Sequence, residues 1–151
     1  MRVGLISDTH GVLRPEAVQA LAGVEQIIHA GDVGAAEVID HLQAIAPVHA
    51  VRGNNDRGPW AAALPERLEL EWEGVRLQVL HDLKELESDP QAAVFQAVIA
   101  GHSHKPGVVE RGGVLFVNPG SAGPRRFKLP VTVGFLILAK GRARAEIRPI
   151  A

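Results

Sequence analysis

Residues 1–10 read MRVGLISDTH, an apolar run that ends in an acidic and an imidazole side chain. The run from Val3 to Ile6 is short and apolar, as is typical of a buried strand. Asp8 and His10 follow it, where such a strand would end. We therefore expect a strand whose carboxyl end presents two polar side chains.

The first third of the chain repeats this strand, loop and helix order. Helices are predicted from about Pro15 to Leu21 and from Ala35 to Ala46, and strands from Gln26 to Ala30 and from Val48 to Val51. Pro15 suits a first helical turn, because its fixed φ is already helical and its missing N–H would be unpaired there. This βαβαβ order predicts a parallel sheet.

The pattern then changes to alternation, which predicts an antiparallel hairpin from Arg67 to Leu80 with a turn at Gly74. A helix is predicted from Pro90 to Gln96. Short strands are predicted after it, at Ala97 to Ala100, Val108 to Glu110, Val114 to Val117, Thr132 to Ala139 and Ala143 to Arg148. Two packed sheets with helices outside fit this mixture, since a single sheet would leave the apolar face of the hairpins uncovered.

Composition limits the classes of function. A chain of 151 residues with 46% apolar residues predicts one compact domain. The formal charge of −1, from 16 basic and 17 acidic residues, gives no general attraction to long nucleic acids or to anionic membranes. The sequence has no cysteine, which excludes disulfides and thiolate metal sites. The chain opens in a strand-like run without an export signal, so we expect a cytoplasmic protein without a membrane span.

Polar residues recur at the ends of the predicted strands. They are Asp8 and His10, then Gly31-Asp32, Gly53-Asn54, His81, and Gly101-His102-Ser103-His104. The carboxyl ends of strands in an open α/β sheet lie along one edge, where ligands bind. We therefore expect these side chains to converge.

The set supplies carboxylates, a carboxamide oxygen and imidazoles, which suit Mn, Fe or Zn more than soft Cu(I). Seven such ligands are too many for one tetrahedral ion, so two ions that share a carboxylate are expected. Two metals roughly 3.5–4 Å apart can acidify a bridging water and stabilise an in-line displacement at phosphorus. The chemistry indicated is phosphoester hydrolysis by a metal-bridging hydroxide.

In this order the motifs resemble those of the calcineurin-like metallophosphoesterase superfamily. The run Asn118-Pro119-Gly120-Ser121, followed by Pro124-Arg125-Arg126, resembles its small bacterial and archaeal phosphodiesterase branch. The resemblance implies an α/β (α+β) fold, a four-layer αββα sandwich of two mixed β-sheets flanked by helices. It also implies a single metallophosphoesterase domain over residues 1–151.

The resemblance further implies the ligand roles. Asp8, His10 and His104 would hold the first metal, Asn54, His81 and His102 the second, and Asp32 would bridge them. Asp32, Asn54 and His102 are the predicted catalytic residues. The cofactors implied are two divalent ions, Mn²⁺ first, with Ni²⁺, Zn²⁺, Fe²⁺ or Mg²⁺ as alternatives.

Asn55 departs from the family pattern, in which many members have a histidine that protonates the leaving group. An amide cannot act as a general acid at neutral pH. We therefore predict a preference for small phosphodiesters with acidic leaving groups or strained rings, of the aryl or cyclic nucleotide type. The alternatives are a phosphomonoesterase or nuclease with the same dimetal site, and a weakly active or non-enzymatic protein-binding scaffold.

Other residues keep two interpretations. Asp56 either caps its turn or orients a ligand histidine. Arg125 and Arg126 either form a solvated surface pair, or one of them, with Arg125 as the candidate, binds a non-bridging phosphate oxygen. The segment Asn118 to Ser121 is either a turn or the floor of the site beside His102. The remaining histidines lack motif partners and are predicted to be structural, namely His29, His41 and His49. Exposed hairpin strands would permit a homodimer.

Overall fold

The computed structural model describes residues 1–86, 94–126 and 128–151. The strands are β1 (Arg2–Ile6), β2 (Gln26–His29), β3 (Val48–Ala50), β4 (Arg67–Trp72), β5 (Val75–Leu80), β6 (Ala97–Ile99), β7 (Gly107–Arg111), β8 (Val114–Asn118), β9 (Thr132–Ala139) and β10 (Arg142–Pro149). The helices are α1 (Pro15–Ala20), α2 (Ala36–Gln43) and α3 (Pro59–Ala62), with a 3₁₀ turn at Leu83–Glu85.

The strands form two five-stranded mixed sheets. The first has the order β10-β9-β1-β2-β3, in which β1, β2 and β3 are parallel. The second has the order β4-β5-β6-β8-β7, in which β5, β6 and β8 are parallel. The predicted ligands therefore follow the carboxyl ends of β1, β2 and β3 in the first sheet and of β5 and β6 in the second.

The core lies between the sheets. Leu5 and Ile28 of the first sheet pack with Leu77 and Ile99 of the second, and all four are fully buried. Burial of each such side chain contributes about 1.5–3 kcal/mol. The apolar rows on the facing sheets thus hold the ligand-bearing strand ends against each other.

Further apolar clusters cover the outer faces. On the first sheet, Ile27 and Phe135 pack against Leu21 after α1 and Leu42 of α2. On the second sheet, residues of the outer face pack with Leu83 in the 3₁₀ turn and with Leu86. The predicted sandwich of two mixed sheets is confirmed.

The βαβαβ order and the hairpin are also confirmed, but the helix predicted from Ala35 to Ala46 is too long. It ends at Gln43. Ala46 precedes Pro47, and a residue before proline is disfavoured in the helical region. The short α3 and the 3₁₀ turn were not predicted.

The helix predicted from Pro90 to Gln96 lies mostly on residues 87–93, which are outside the described part of the chain. The chain is not helical at the predicted end of this helix, Gln96. The Gln96 N–H donates to the Arg76 carbonyl at 2.9 Å, as the chain enters β6. Residues 94–96 are accordingly not helical.

Across residues 1–86, 94–126 and 128–151, no helix is long and apolar enough to cross a membrane. The longest of these helices is α2, with eight residues. A membrane-spanning helix needs about 20.

Candidate metal centre

The loops after β1, β2, β3, β5 and β6 meet at one edge of the sandwich, where backbone hydrogen bonds connect them. The Asp8 N–H donates to the Gly31 carbonyl at 3.0 Å, and the Gly101 N–H donates to the His81 carbonyl at 2.9 Å. The two sheets are joined where the His102 N–H donates to Asp8 Oδ2 at 3.2 Å. This edge brings together the seven predicted ligands, Asp8, His10, Asp32, Asn54, His81, His102 and His104.

Asp8, His10 and His104 form one cluster, in which the potential ligand atoms all lie within 4.8 Å of one another. Asp8 Oδ1 is 3.4 Å from His104 Nε2 and 3.9 Å from His10 Nε2. These are the three residues predicted for the first metal.

The second cluster is built around His81. His81 Nε2 lies 3.2 Å from Asp32 Oδ2 and 3.3 Å from His102 Nδ1. His102 Nδ1 is in turn 3.2 Å from Asn54 Oδ1. Asp32 Oδ2 is also 3.8 Å from His10 Nε2, so this carboxylate lies between the two clusters. That is the position a bridging ligand requires.

Unpaired buried atoms show that the first cluster fits a metal ion. Asp8 Oδ1, His10 Nε2 and His104 Nδ1 are buried and have no hydrogen-bond partner among the described residues. A buried polar atom without a partner costs about 1–3 kcal/mol. Oxygen and imidazole nitrogen donors at such spacing are the ligands that borderline divalent ions take. The residues present therefore fit the implied cofactor.

The backbone is strained at the same positions. Five of the seven predicted ligands have positive φ angles, namely Asp8 (55°), His10 (48°), Asp32 (54°), His102 (71°) and His104 (63°). A non-glycine residue in this left-handed region costs on the order of 1–3 kcal/mol. The backbone at this edge is therefore strained, and such strain is concentrated at binding and catalytic sites.

Two glycines permit the loops to approach each other. A Cβ at Gly101 would clash with Ser7 Oγ and would lie 2.7 Å from Asp8 Oδ2. A Cβ at Gly53 would clash with the backbone N and the carboxylate of Asp32. Packing therefore requires glycine directly before His102 and directly before Asn54.

Hydrogen bonds set the charge states of Asp32 and His81. Burial acts to raise the pKa of Asp32, but hydrogen bonds from His81 and Asn55 outweigh it and hold that pKa below its usual value. Burial acts to lower the pKa of His81, whereas Asp32, the Ala30 carbonyl and the charge of Asp8 raise it to about 9. His81 Nδ1 lies 2.7 Å from the Ala30 carbonyl oxygen, to which its N–H donates. This leaves Nε2 directed at the cluster, the usual arrangement for a ligand imidazole.

Asn55 holds Asp32 in place. Its backbone N–H donates to Asp32 Oδ1 at 2.9 Å, and its side-chain Nδ2 donates to Oδ2 at 3.0 Å. The residue that departs from the family pattern thus orients the carboxylate between the clusters.

Asp56 braces backbone instead of orienting a ligand histidine. Its carboxylate is buried and accepts hydrogen bonds from the N–H groups of Val33, Gly34 and Gly53, at 2.9–3.1 Å. Val33 follows Asp32 in the chain, and Gly53 precedes Asn54. Asp56 therefore ties together the loops after β2 and β3.

The Asp56→Ala substitution is expected to lower the free energy of unfolding of the metal-free protein by about 3 kcal/mol, because three N–H groups lose a charged acceptor. Urea unfolding measures the change. Asp40→Ala is the control, since Asp40 is exposed on α2, and it should stay within about 0.5 kcal/mol. A similarly small effect of Asp56→Ala would contradict the bracing role.

The arginine pair lies beside this edge. Arg125 is exposed, and the structure gives it no contact with the clusters among the described residues. The charge of Arg126 acts on a predicted ligand, because it adds to the burial that lowers the pKa of His104. The structure therefore favours Arg126 near the site and not Arg125, the predicted candidate.

The segment from Asn118 to Ser121 supports the ligand loops. Asn118 Nδ2 donates to the Gly101 carbonyl and to Ser103 Oγ, both at 3.1 Å. Ser121 Oγ donates to the Asp8 carbonyl at 3.1 Å. This segment is thus more than a turn, since it fixes the backbone on either side of the centre.

His29 is structural, as predicted, and it also connects two ligand loops. It is fully buried, and its Nδ1 accepts a hydrogen bond from the Gly31 N–H at 3.1 Å. Its Nε2 lies 3.0 Å from Thr9 Oγ1, which donates to the Val33 carbonyl. Nε2 must therefore carry the proton. Its place two residues before Gly31 was the only sign of this role in the sequence.

His29 should make the metal-free protein sensitive to acid. Burial is the main reason that its pKa falls from 6.5 to about 3. Its contribution to stability is therefore complete above pH 6.5 and is lost as the pH falls toward 3.

The expected loss between pH 6.5 and 5 is about 2 kcal/mol. Urea unfolding at both pH values should show a smaller loss for His29→Gln, which retains an amide donor but cannot be protonated. Equal losses in the two proteins would show that His29 does not titrate on unfolding.

Residues 1–141 match the family model described as a calcineurin-like phosphoesterase superfamily domain. A probable metallophosphoesterase from Methanothermobacter thermautotrophicus is 35% identical over 133 residues, which cover 80% of this chain and 77% of the relative.

Solved structures agree with the match. A structure reported as a novel archaeal phosphodiesterase has a TM-score of 0.81 and 26% identity, and the match covers 98% of this chain and 100% of the chain in that structure. Wild-type Vps29 from Entamoeba histolytica, complexed with Zn²⁺, has a TM-score of 0.79 and 21% identity with full coverage of both chains, and shares the fold. From these matches and the architecture, the chain is a metallophosphoesterase and belongs to the calcineurin-like phosphoesterase superfamily.

Proposed function

We propose that this metallophosphoesterase hydrolyses small phosphodiesters at a centre that holds two divalent metal ions. The observation that carries the proposal is the meeting of two ligand clusters with Asp32 between them, 3.2 Å from His81 and 3.8 Å from His10. One cluster alone would suit a single structural ion.

Asp8, His10 and His104 would hold one ion, and Asn54, His81 and His102 the other, with Asp32 shared by both. When bound, such a pair of ions lowers the pKa of water and neutralises charge that develops on the phosphate oxygens. Mn²⁺ is the first choice for these donors, and Ni²⁺, Zn²⁺, Fe²⁺ and Mg²⁺ are alternatives.

The protein's own residues orient this ligand set. The Ala30 carbonyl fixes the ring of His81, and Asn55 fixes the carboxylate of Asp32. Ser7 Oγ donates to Asp8 Oδ2 at 2.7 Å, which leaves Oδ1 directed toward the imidazoles. Ligands held in this way need little rearrangement when metal and substrate bind.

The shape of the surface favours a diester over a monoester. A polar cavity of about 320 Å³ and an apolar cavity of about 590 Å³ meet at the centre, and both are lined by His102 and Asp82. A diester has two organic groups to place, whereas a monoester has one. Asn55 cannot protonate a leaving group, so aryl or cyclic nucleotide diesters should react best.

The test is hydrolysis of bis(4-nitrophenyl) phosphate and of 4-nitrophenyl phosphate by metal-stripped protein, with Mn²⁺, Ni²⁺, Zn²⁺ or Mg²⁺ added back. We expect metal-dependent turnover that is faster for the diester and is lost in Asp32→Ala. Turnover confined to the monoester would overturn the choice of substrate class.

The alternative is a protein-binding scaffold on the same fold, which the structural likeness to Vps29 keeps open. The complete set of predicted ligands in this chain favours the enzyme. Stoichiometric metal binding without turnover of either ester would favour the scaffold.

A further inference from the structure

The apolar cavity of about 590 Å³ lies on the outer face of the second sheet. Val98 on β6, Phe116 on β8 and Val109 on β7 are register partners in neighbouring strands. Directly paired residues share a face of a sheet, so the three side chains form one apolar row across it. The volume falls within the range of small-molecule sites, about 300–1,000 Å³.

Gly107 keeps the end of the cavity near the metal centre open. It is the first residue of β7 and follows His104 by three positions. A Cβ at Gly107 would meet nothing within 4 Å, and its φ is not in the left-handed region. A side chain added at this position would therefore occupy open space without backbone strain.

Positive charge surrounds the cavity. Lys84, Lys105 and Arg111 line it, and Asp82 is the acidic residue in its lining. Among the described residues, neither lysine forms an ion pair. The Arg111 guanidinium lies 4.6 Å from the centre of the Phe116 ring. Arg111 is four residues beyond Gly107, about 13 Å along an extended strand, and so marks the far end of the cavity.

We propose that this cavity binds one ester group of the phosphodiester substrate, an apolar aromatic group that carries an anionic substituent. The apolar row would contact the ring, and Arg111 would pair with the anion at the end away from phosphorus. This assignment rests on the proposed function for its identification of the ligand as an ester group. His102 lines the cavity and also belongs to the metal centre, which supports that link.

The first test uses 8-anilinonaphthalene-1-sulfonate, an aromatic anion that fluoresces when bound in apolar sites. We expect the metal-loaded protein to bind the dye at one site, from which 1-naphthyl phosphate displaces it and inorganic phosphate does not. Gly107→Leu should weaken dye binding roughly tenfold, because the leucine fills the cavity.

Val108→Leu is the matched control. Val108 is the next residue along β7, points to the other face of the sheet and is 39% exposed. The Val108→Leu protein should bind the dye as the wild type does. If Gly107→Leu fails to fold, as judged by circular dichroism, Arg111→Ala replaces it and should weaken binding several-fold. The proposal would be overturned if Gly107→Leu, or Arg111→Ala in its place, bound the dye as tightly as Val108→Leu does.

The second test separates this proposal from the proposed function. With bis(4-nitrophenyl) phosphate, Gly107→Leu should raise KM roughly tenfold and change kcat little. If Gly107→Leu weakens dye binding but the wild type hydrolyses no diester, the cavity is supported as a binding site and the proposed function is contradicted. Diester turnover with an unchanged KM in Gly107→Leu would contradict the cavity assignment alone.

Discussion

Asp8→Asn is expected to abolish metal binding and diester hydrolysis while leaving the metal-free protein at least as stable as the wild type. Asp8 is in the first cluster and also contacts the second, because its Oδ1 lies 3.4–3.9 Å from the Nε2 atoms of His10, His81 and His104. Burial raises the pKa of Asp8, although Ser7, His81 and His104 act in the opposite direction. Holding this carboxylate charged therefore costs stability that metal binding would recover.

Thermal unfolding with and without Mn²⁺ measures both effects. Each ion at about 100 times its dissociation constant should stabilise the wild type by about 2.7 kcal/mol, a rise of roughly 5–10 °C per ion for a chain of this size. Asp8→Asn should show no rise. Asp40→Asn, on the exposed face of α2, should respond as the wild type does.

Two results would contradict this account. One is an Asp8→Asn protein that still binds two ions with wild-type affinity. The other is a metal-free variant that is several kcal/mol less stable than the metal-free wild type, which would mean that Asp8 is primarily a structural residue.

Asn55→His is expected to accelerate the hydrolysis of diesters with poor leaving groups. An imidazole can protonate a leaving oxygen and an amide cannot, and positioned acid catalysis contributes about 10²–10⁴-fold. The gain should be small for 4-nitrophenolate, which leaves without protonation. The backbone N–H of residue 55 would still donate to Asp32 Oδ1, so the carboxylate keeps one of the two hydrogen bonds that it accepts from residue 55.

The measurement is the dependence of rate on leaving-group pKa for a series of aryl and alkyl diesters. Asn55→His should flatten that dependence. Asn55→Ala is the matched control, because it also removes the side-chain hydrogen bond to Asp32 and adds no acid. An unchanged dependence in Asn55→His, or the same change in both variants, would show that the missing histidine does not determine leaving-group preference.

The sequence was sufficient to predict that the seven side chains converge, because each follows a strand. Apolar runs such as Leu5-Ile6 and Ile27-Ile28 locate the strands, and parallel pairing requires that their ends share an edge. The meeting of two sheets at that edge came from the family resemblance instead. Apolar patterning alone does not say which strand ends face one another.

The roles of Asp56, Asn55 and His29 could not be predicted in this way. Each acts through hydrogen bonds to a loop that is distant in sequence, such as the 2.9 Å bond from Gly34 N–H to Asp56 Oδ1. Such bonds depend on the relative position of two loops, which no local pattern encodes. The same limit explains why the sequence pointed to Arg125 and not to Arg126, whose charge acts on His104.

The anomalous scattering of Mn²⁺, in crystals grown with that ion, tests the two-metal centre most directly. We expect two peaks roughly 3.5–4 Å apart, one bounded by Asp8, His10 and His104 and the other by Asn54, His81 and His102, with Asp32 contacting both. A single peak, or a pair with Asp32 bound to neither, would contradict the two-metal centre.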